Sequence, residues 1–468
     1  MESESTDTVS IDTTSPRFIA RLKAAALGSA EHPFVFLGNF EVEELWAADE
    51  LGLPRVSAAG STAVVNSMDE FALLLGGKGD HVVLKHAPDP DYHRYLLGLG
   101  FELPEIHVVA APDPARNVSQ DALADPALVA ALAELATDGA HLLPHGASAV
   151  EEELSARTGV PLATPPAALC KAVNSKVYSR RLADELGLRQ PPGWICDTPA
   201  ELAEAVPQAA KVLADGGTVV VKEAFGVSGK GIAVVTSEQR LLRLQRMIER
   251  SAQRAGRDRL ALVTETWVEK RADLNYQFTV GRDGSVRFDF VKEAITENGV
   301  HKGHRMPARL DELQHEVIRH AANALGARLA ADGYYGVVGV DALVEPDGGI
   351  FPVLEINARN NMSTYQVPLQ ERFVPDGAVA MARHYPVRLA APLPFARLRE
   401  TLGDLLFFGS GSGLLVNNFA TVNAGAGLAA AGEAFAGRLY GVLIGPSVAD
   451  LDELDHRITE RLTTLAAA

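Results

Sequence analysis

Cysteine is nearly absent: Cys170 and Cys196 are the two in 468 residues. That is too few for a disulfide framework, and it gives no zinc-ligand spacing. A reducing cytosol is the compartment it fits, so a cytoplasmic location is expected. Long apolar runs are missing too. No stretch approaches the ~18 apolar residues of a membrane span, and no membrane partner is expected. The opening "MESESTDTVSIDTTSP" has neither the basic nor the apolar region of a signal peptide, and residues 1–16 read as a short disordered tail. Positive charge is in deficit, and a formal net charge of −17 argues against loose binding to nucleic acid. Walker loops, GxGxxG fingerprints and internal repeats are also lacking. What is present is globular: 47 % apolar and 22 % charged residues, in a chain long enough for about three domains.

Strands alternate with helices in the first part. "PFVFLGNFEVEELWAADELG" (Pro33–Gly52) reads as strand, Gly turn and helix. "HVVLKHAP" (His81–Pro88) and "EIHVVAAP" (Glu105–Pro112) read as further short strands, with helical stretches such as "DPALVAALAELATDG" between them. The alternation predicts a parallel α/β domain over residues 17–165. Gly38 reads as a plain βα turn. "TPPAAL" (Thr164–Leu169) marks the boundary to a second domain, residues 166–390. It begins with a helix capped near Asn174 or Ser175 and ended by Gly187. Thr198 and Glu201 stand in capping-box register with Pro199 between them. A long amphipathic helix closes at Gly256. Strands "LALVTETWV", "LNYQFTV" and "VRFDFVKEAI" and a helix Asp311–Gly326 come next. From about Pro392 the chain turns rich in Gly, Ala and Ser, and residues 391–468 read as a small C-terminal α+β module.

"GVVGVDALVEPDGGIFPVLEIN" predicts a hairpin, because Asp347-Gly348-Gly349 is turn chemistry between two apolar runs. Glu355 and Asn357 share one face of their strand. A three-residue loop pairs positions 346 and 350, which sets Asp341 opposite Glu355. Three oxygen-bearing side chains then converge, and unpaired buried carboxylates are costly. Mg²⁺ resolves that cost, since it takes hard oxygen ligands. An exposed sheet face with scattered polar residues is the plainer alternative.

"VVVKEAFGVSGKGIAVV" (Val219–Val235) delivers Lys222 from a strand into the loop Gly226-Val227-Ser228-Gly229-Lys230-Gly231, and a second strand comes after it. Its glycines let backbone N–H groups turn inward and cradle an anion. An ordinary glycine hairpin stays open as the alternative. In "VTETWVEKRADL" an apolar strand ends in Glu265, followed by Thr266, Trp267 and Val268. Such a strand end can present a carboxylate and backbone groups to a purine edge.

The order of these pieces resembles the ATP-grasp superfamily of carboxylate–amine ligases. "NSKVYSRRLADELGLRQPPGW" is similar to the helix after that family's first ATP lysine, "VVVKEAFGVSGKGI" to its second lysine and flexible loop, "TETWV" to its adenine hinge, and "GVDALVEPDGGIFPVLEINAR" to its metal hairpin. The N-terminal domain resembles a pre-ATP-grasp domain, and the layout looks closest to peptide ligases of the pheganomycin type. The resemblance implies an ATP-grasp fold, two α+β subdomains sandwiching ATP, with the flap subdomain at about 190–265. It implies Lys176 and Lys222 on the phosphates, the 225–231 loop as a lid, and adenine held by Glu265 and the backbone near Val268. Asp273 stands nearest to the family's ribose-side carboxylate. Asp341, Glu355 and Asn357 would hold one or two Mg²⁺, with Mn²⁺ able to substitute. "NARNNMSTY" departs from the family's usual ending, which leaves Asn360, Asn361 and Ser363 without an inherited role.

The same resemblance implies an ATP-dependent peptide ligase: a carboxylate attacks the γ-phosphorus, and an amine attacks the resulting acyl phosphate. Amino acids or peptides are the small-molecule substrates that natural-product chemistry suggests, and a homodimer is compatible with the superfamily. Arg359, two residues beyond Asn357, can fork onto the γ-phosphate or the acyl phosphate, or pair with a nearby carboxylate. The polar run Lys292–Pro307 reads as a loop in which Arg305 could bind the donor carboxylate or the acyl phosphate. His301 and His304 read as solvated loop histidines rather than metal ligands. An ATP-grasp phosphotransferase and a non-catalytic nucleotide-binding regulator stay open as alternatives.

Overall fold

Short, mostly apolar runs form the first sheet of the computed structural model, which describes residues 17–466 except 41, 54–59, 227–230, 298–299, 376 and 431–432. Strands β1 (Phe34–Leu37), β2 (His81–Leu84), β3 (Glu105–Val108) and β4 (His141–Pro144) run parallel in the order β3-β2-β1-β4. β1 is buried along its whole length, as a parallel strand covered on both faces must be. Three of the four strands were legible as apolar runs. "HLLP" was not, since a four-residue run ending in proline carries little pattern. The helix Pro126–Glu134 starts where the Asp125 carboxylate accepts from the N–H groups of Ala127 and Leu128.

The second sheet is antiparallel. It holds β5 (Gly193–Cys196), β6 (Val219–Glu223), β7 (Ile232–Val235) and β8 (Leu262–Thr266) in the order β5-β8-β6-β7. Its outer helices carry the expected ends. Thr198 and Glu201 form the capping box of the helix Pro199–Ala214, and Gly256, at φ +61°, ends the helix Glu238–Ala255.

The third sheet joins β9 (Ala272–Val280), β10 (Val286–Glu297), β11 (Val300–Met306), β12 (Gly336–Val344), β13 (Ile350–Asn357), β14 (Val379–Leu389), β15 (Gly413–Asn418) and β16 (Phe435–Gly445) in the order β13-β12-β9-β10-β11-β14-β16-β15. The helix Glu312–Ala331 covers β9, β10 and β13, burying Ile318, Leu325 and Leu329. The C-terminal strands β15 and β16 extend this same sheet through β14. The structure corrects the expectation of a loop over 292–307: Lys292–Glu297 lie on β10 and Val300–Met306 form β11, its antiparallel partner. The polar residues misled because an antiparallel strand can bury one face and leave the other polar.

The N-terminal sheet and the C-terminal strands share one core. Tyr92 and Tyr95 reach across to donate to the carbonyls of Val416 and Phe407, at 3.3 and 2.8 Å, and the Glu70 carboxylate accepts from the N–H groups of Phe419 and Ala420. Cys170 and Cys196 are buried and free. Among the described residues no helix is long and apolar enough to cross a membrane.

Candidate active site

A cleft of about 370 Å³ opens between the second sheet and the β13-β12-β9-β10 half of the third. From one side it is lined by Val220, Lys222, Ile232 and the run Glu265–Val268. From the other come Asp273, Asn275, Asp341, Leu343, Leu354, Glu355 and Asn357, then Arg359 and Asn361–Ser363.

The hairpin sets the acidic end. Asp341 pairs with Glu355 and, on its other side, with Asn275, while Gly339 pairs with Asn357. The expected Asp341–Glu355 pairing is present, but by a different route. The turn is longer than three residues, so that Val344, not position 346, meets Ile350. A register shift around Pro352–Leu354 restores the pairing. Pro352 has no N–H to give the ladder, which favours a bulge there.

The Asn275 amide donates to Asp341 Oδ1 at 2.9 Å. Lys176, 4 % exposed, donates to Glu355 Oε1 and to the Gly226 carbonyl, both at 2.7 Å, and so ties the base of the flap to β13. Burial, with Glu355 beside it, pushes the Asp341 carboxyl up to about 6. The two neighbouring carboxylates supply the hard oxygen donors that Mg²⁺ takes; the Asn357 amide donates from Nδ2 to Asp341 Oδ2 at 3.4 Å, and its Oδ1 is the oxygen it could turn to a cation.

At the other end Glu265 is 6 % exposed and paired with Lys222 and with Arg180, whose Nη1 is 3.4 Å away. Gly193 faces it across the ladder, and a Cβ there would fall 2.6 Å from the Glu265 Cβ. Glycine is what lets that carboxylate lie against β5. Trp267, 43 % exposed, presents an apolar face at the cleft wall. Asp273 also lines the cleft, where its carboxylate accepts from the Thr296 hydroxyl at 2.9 Å.

Arg359 has the carboxylate partner that the sequence allowed for, Glu43 of the helix Val42–Trp46. Its Nη2 donates to Asn357 Oδ1 at 3.1 Å, and its Nη1 reaches the Asn360 carbonyl and His145 Nε2. Burial first, and then Arg359, hold His145 well below the usual histidine range. The neutral ring then donates from Nδ1 to the Tyr365 oxygen at 2.9 Å and offers Nε2 to the guanidinium.

Two expectations are corrected at the site. Arg305 does not enter the cleft: it pairs with Asp452 at 3.3 Å and with Glu293 at 4.0 Å. Its neighbour His304 does line the cleft, because adjacent strand residues point to opposite faces. His304 is 4 % exposed and hydrogen-bonds Ser363 Oγ at 3.2 Å, so it is not a solvated loop histidine. Gly226 lines the cleft, and Gly231 accepts from the Glu223 N–H at the base of the flap. Val227, Ser228, Gly229 and Lys230, and the side chain of His301, lie outside the described residues.

Sequence reasoning missed Arg180 and Asn275. A signal existed for Arg180, four residues after Lys176 and hence on the same helix face. Asn275 becomes visible only once the β9–β12 register is known. Asn360, left without a role, turns away from the cleft and donates to the Pro144 carbonyl at 3.3 Å.

An antiparallel flap sheet closing over a carboxylate-bearing sheet, behind a parallel α/β sheet, defines a two-sheet cleft of the ATP-grasp kind. Comparison with known proteins agrees. A model of the pre-ATP-grasp domain matches residues 68–160, and a model of the ATP-grasp domain matches residues 181–363. The chain belongs to the ATP-grasp superfamily. It is 29 % identical over 205 residues to the [Butirosin acyl-carrier protein]--L-glutamate ligase of Niallia circulans, covering 44 % of this chain and 47 % of that protein. It is 27 % identical over 186 residues to a formate-dependent phosphoribosylglycinamide formyltransferase of Methanocaldococcus jannaschii, covering 38 % and 43 %. The matches thus span less than half the length of these relatives. The fold is similar to that of N5-carboxyaminoimidazole ribonucleotide synthetase from Thermus thermophilus (TM-score 0.52, 17 % identity, 92 % of this chain and 98 % of that one). It is likewise similar to a biotin carboxylase from Campylobacter jejuni (TM-score 0.54, 15 % identity, 92 % and 91 %).

Proposed function

We propose that the protein is an ATP-dependent ligase that joins the carboxylate of an amino-acid-like donor to the amine of an amino acid or peptide. The observation that carries this reading is the convergence of Asp341, Glu355 and Asn357 in one cleft with Lys222 and the Glu265–Val268 hinge. The glutamate ligase among the relatives supports an amino-acid substrate.

The run Glu265–Val268 and the Trp267 face receive the adenine. Asp273 is placed for the ribose. Lys176 and Lys222 neutralise phosphate charge. Asp341, Glu355 and Asn357 would hold Mg²⁺, which when bound screens the β- and γ-phosphates and helps the γ-phosphoryl group depart. A donor carboxylate oxygen forms a bond to the γ-phosphorus as the bond to the ADP oxygen breaks. Arg359, held in place by Glu43, Asn357 and His145, supplies positive charge where that acyl phosphate accumulates. The amine then attacks the acyl carbon, loses a proton and expels phosphate. The protein's part is positioning and charge neutralisation.

The deciding experiment is a screen for ADP release against amino acids, singly and in pairs, with mass spectrometry of the products. An amide product supports the ligase. A phosphorylated product supports a phosphotransferase, and no ADP release with any pair leaves only nucleotide binding.

The Asp341 carboxyl gives the reaction a pH signature. A protonated Asp341 cannot hold a cation, so the apparent affinity for Mg²⁺ falls as the pH drops through about 6. The stability linkage has the opposite sign. A raised pKa means that the protonated carboxyl favours the metal-free fold, a contribution lost as pH rises through that same value. Mg²⁺ titrations of ADP release on either side of it check the first effect; a flat profile contradicts it.

Arg305 supplies the counter-test. Because it pairs with Glu293 and Asp452 away from the cleft, Arg305→Ala leaves ADP release within about two-fold and costs at most a small amount of thermal stability. A large loss of rate with an unchanged melting temperature would return Arg305 to the site.

A further inference from the structure

The parallel sheet holds a second cluster of ligating side chains, at the end of its strands away from the cleft. The C-terminal end of β4 leads into His145 and so to Arg359. His81 and Glu105 instead open β2 and β3, and the parallel register sets them side by side. His107 sits two residues along β3, on the same sheet face as Glu105. His81 Nδ1 lies 3.2 Å from His107 Nε2 and 3.7 Å from Glu105 Oε2, and all three ligating atoms fall within 4.8 Å of one another. Asp80, next in the chain, is turned elsewhere: its carboxylate takes Lys23 Nζ at 2.6 Å and the Phe34 N–H at 2.8 Å.

Two nitrogens bound at 2.0–2.1 Å to one tetrahedral ion stand about 3.3 Å apart. The His81–His107 separation matches that edge. The carboxylate distance is a little wider, and the Glu105 side chain, 70 % exposed, is free to rotate inward. Two imidazoles with one carboxylate are ligands that Zn²⁺ and its neighbours in the first transition row accept, whereas Mg²⁺ favours oxygen alone. A hydrogen bond between the two rings is the competing account of the short N–N distance.

We propose that His81, Glu105 and His107 bind one divalent transition ion of the Zn²⁺ type, which staples the edge strand β3 to β2 and keeps water in its fourth position. This site is separate from the oxygen-lined cleft, and the proposal does not rest on the ligase reading.

The test uses the full chain, freed of metal by a chelator and titrated with Co²⁺ in excess Mg²⁺. One equivalent is expected to develop the visible absorption of tetrahedral Co²⁺, and Zn²⁺ to abolish that absorption. The double variant His81→Ala/His107→Ala is expected to bind Co²⁺ at least about 100-fold more weakly, while Asp341→Asn leaves the titration unchanged. Zn²⁺ should raise the melting temperature of the parent but not of the double variant. If the double variant does not fold, His107→Gln, which keeps the bulk and a polar tip, carries the same expectation. No stoichiometric absorption, or an absorption that survives loss of the histidines, overturns the site and leaves a hydrogen-bonded histidine pair.

Discussion

Glu355→Gln is expected to lower ADP release by about 10³-fold while the protein melts within a few degrees of the parent. The substitution keeps size and leaves an oxygen within reach of Lys176, which donates to Glu355 Oε1 at 2.7 Å. What disappears is a full negative charge at the place where a cation and the terminal phosphates must meet. Removing one preorganised electrostatic group typically costs ~10²–10³ in rate, and the loss of a metal ligand belongs at the upper end of that range. Extra Mg²⁺ should recover part of the rate, because the defect is one of cation affinity. An enzyme with the parental rate would remove the metal assignment.

Lys222→Ala is the second large effect, expected at ~10²–10³-fold in kcat/KM for ATP. Lys222 pairs with Glu265, which is also held by Arg180. Removing the lysine deletes a cation from the cleft wall and leaves a buried carboxylate with one ion-pair partner, at a stability cost of about 1–3 kcal/mol. Lys222→Met separates the two consequences. It keeps the aliphatic stem and so more of the packing, yet it lacks the charge. Both variants should lose turnover alike, with Lys222→Met the more stable. If Lys222→Met retained turnover, the lysine would be a packing residue and not a phosphate ligand.

Much of this architecture was legible in the residues, for reasons that can be named. Period-2 alternation put Glu355 and Asn357 on one face, and turn chemistry at 347–349 announced the hairpin. The Asp341–Glu355 pairing was recovered although the loop was misjudged by two positions, because the shift around Pro352 cancelled the error. The same alternation, left unapplied to residues 292–307, exchanged Arg305 for His304. A polar strand looks like a loop until its buried face is known. That face includes Lys292, fully buried, whose Nζ donates to the Ser363 carbonyl at 3.0 Å and to Gln366 Oε1 at 3.1 Å. Burial holds it well below the usual lysine range.

What could not be read was contributed at long range. Glu43, on the helix Val42–Trp46, and His145, just past β4, reach Arg359 across 316 and 214 positions of chain. Asn360 ties the same segment down: its N–H donates to the His145 carbonyl at 3.0 Å and its amide to that of Pro144. No local pattern encodes these meetings, because they depend on how two sheets dock. They give the N-terminal sheet a physical part in the site, that of aiming the guanidinium just past the metal hairpin.

The most direct test of the central claim is to locate Mn²⁺ by anomalous scattering in crystals grown with a non-hydrolysable ATP analogue. The account predicts a Mn²⁺ peak coordinated by Asp341, Glu355 and Asn357, in contact with the analogue's terminal phosphates between the two sheets. A nucleotide bound in the cleft with its cation held by other side chains, or a peak away from β12 and β13, would contradict it.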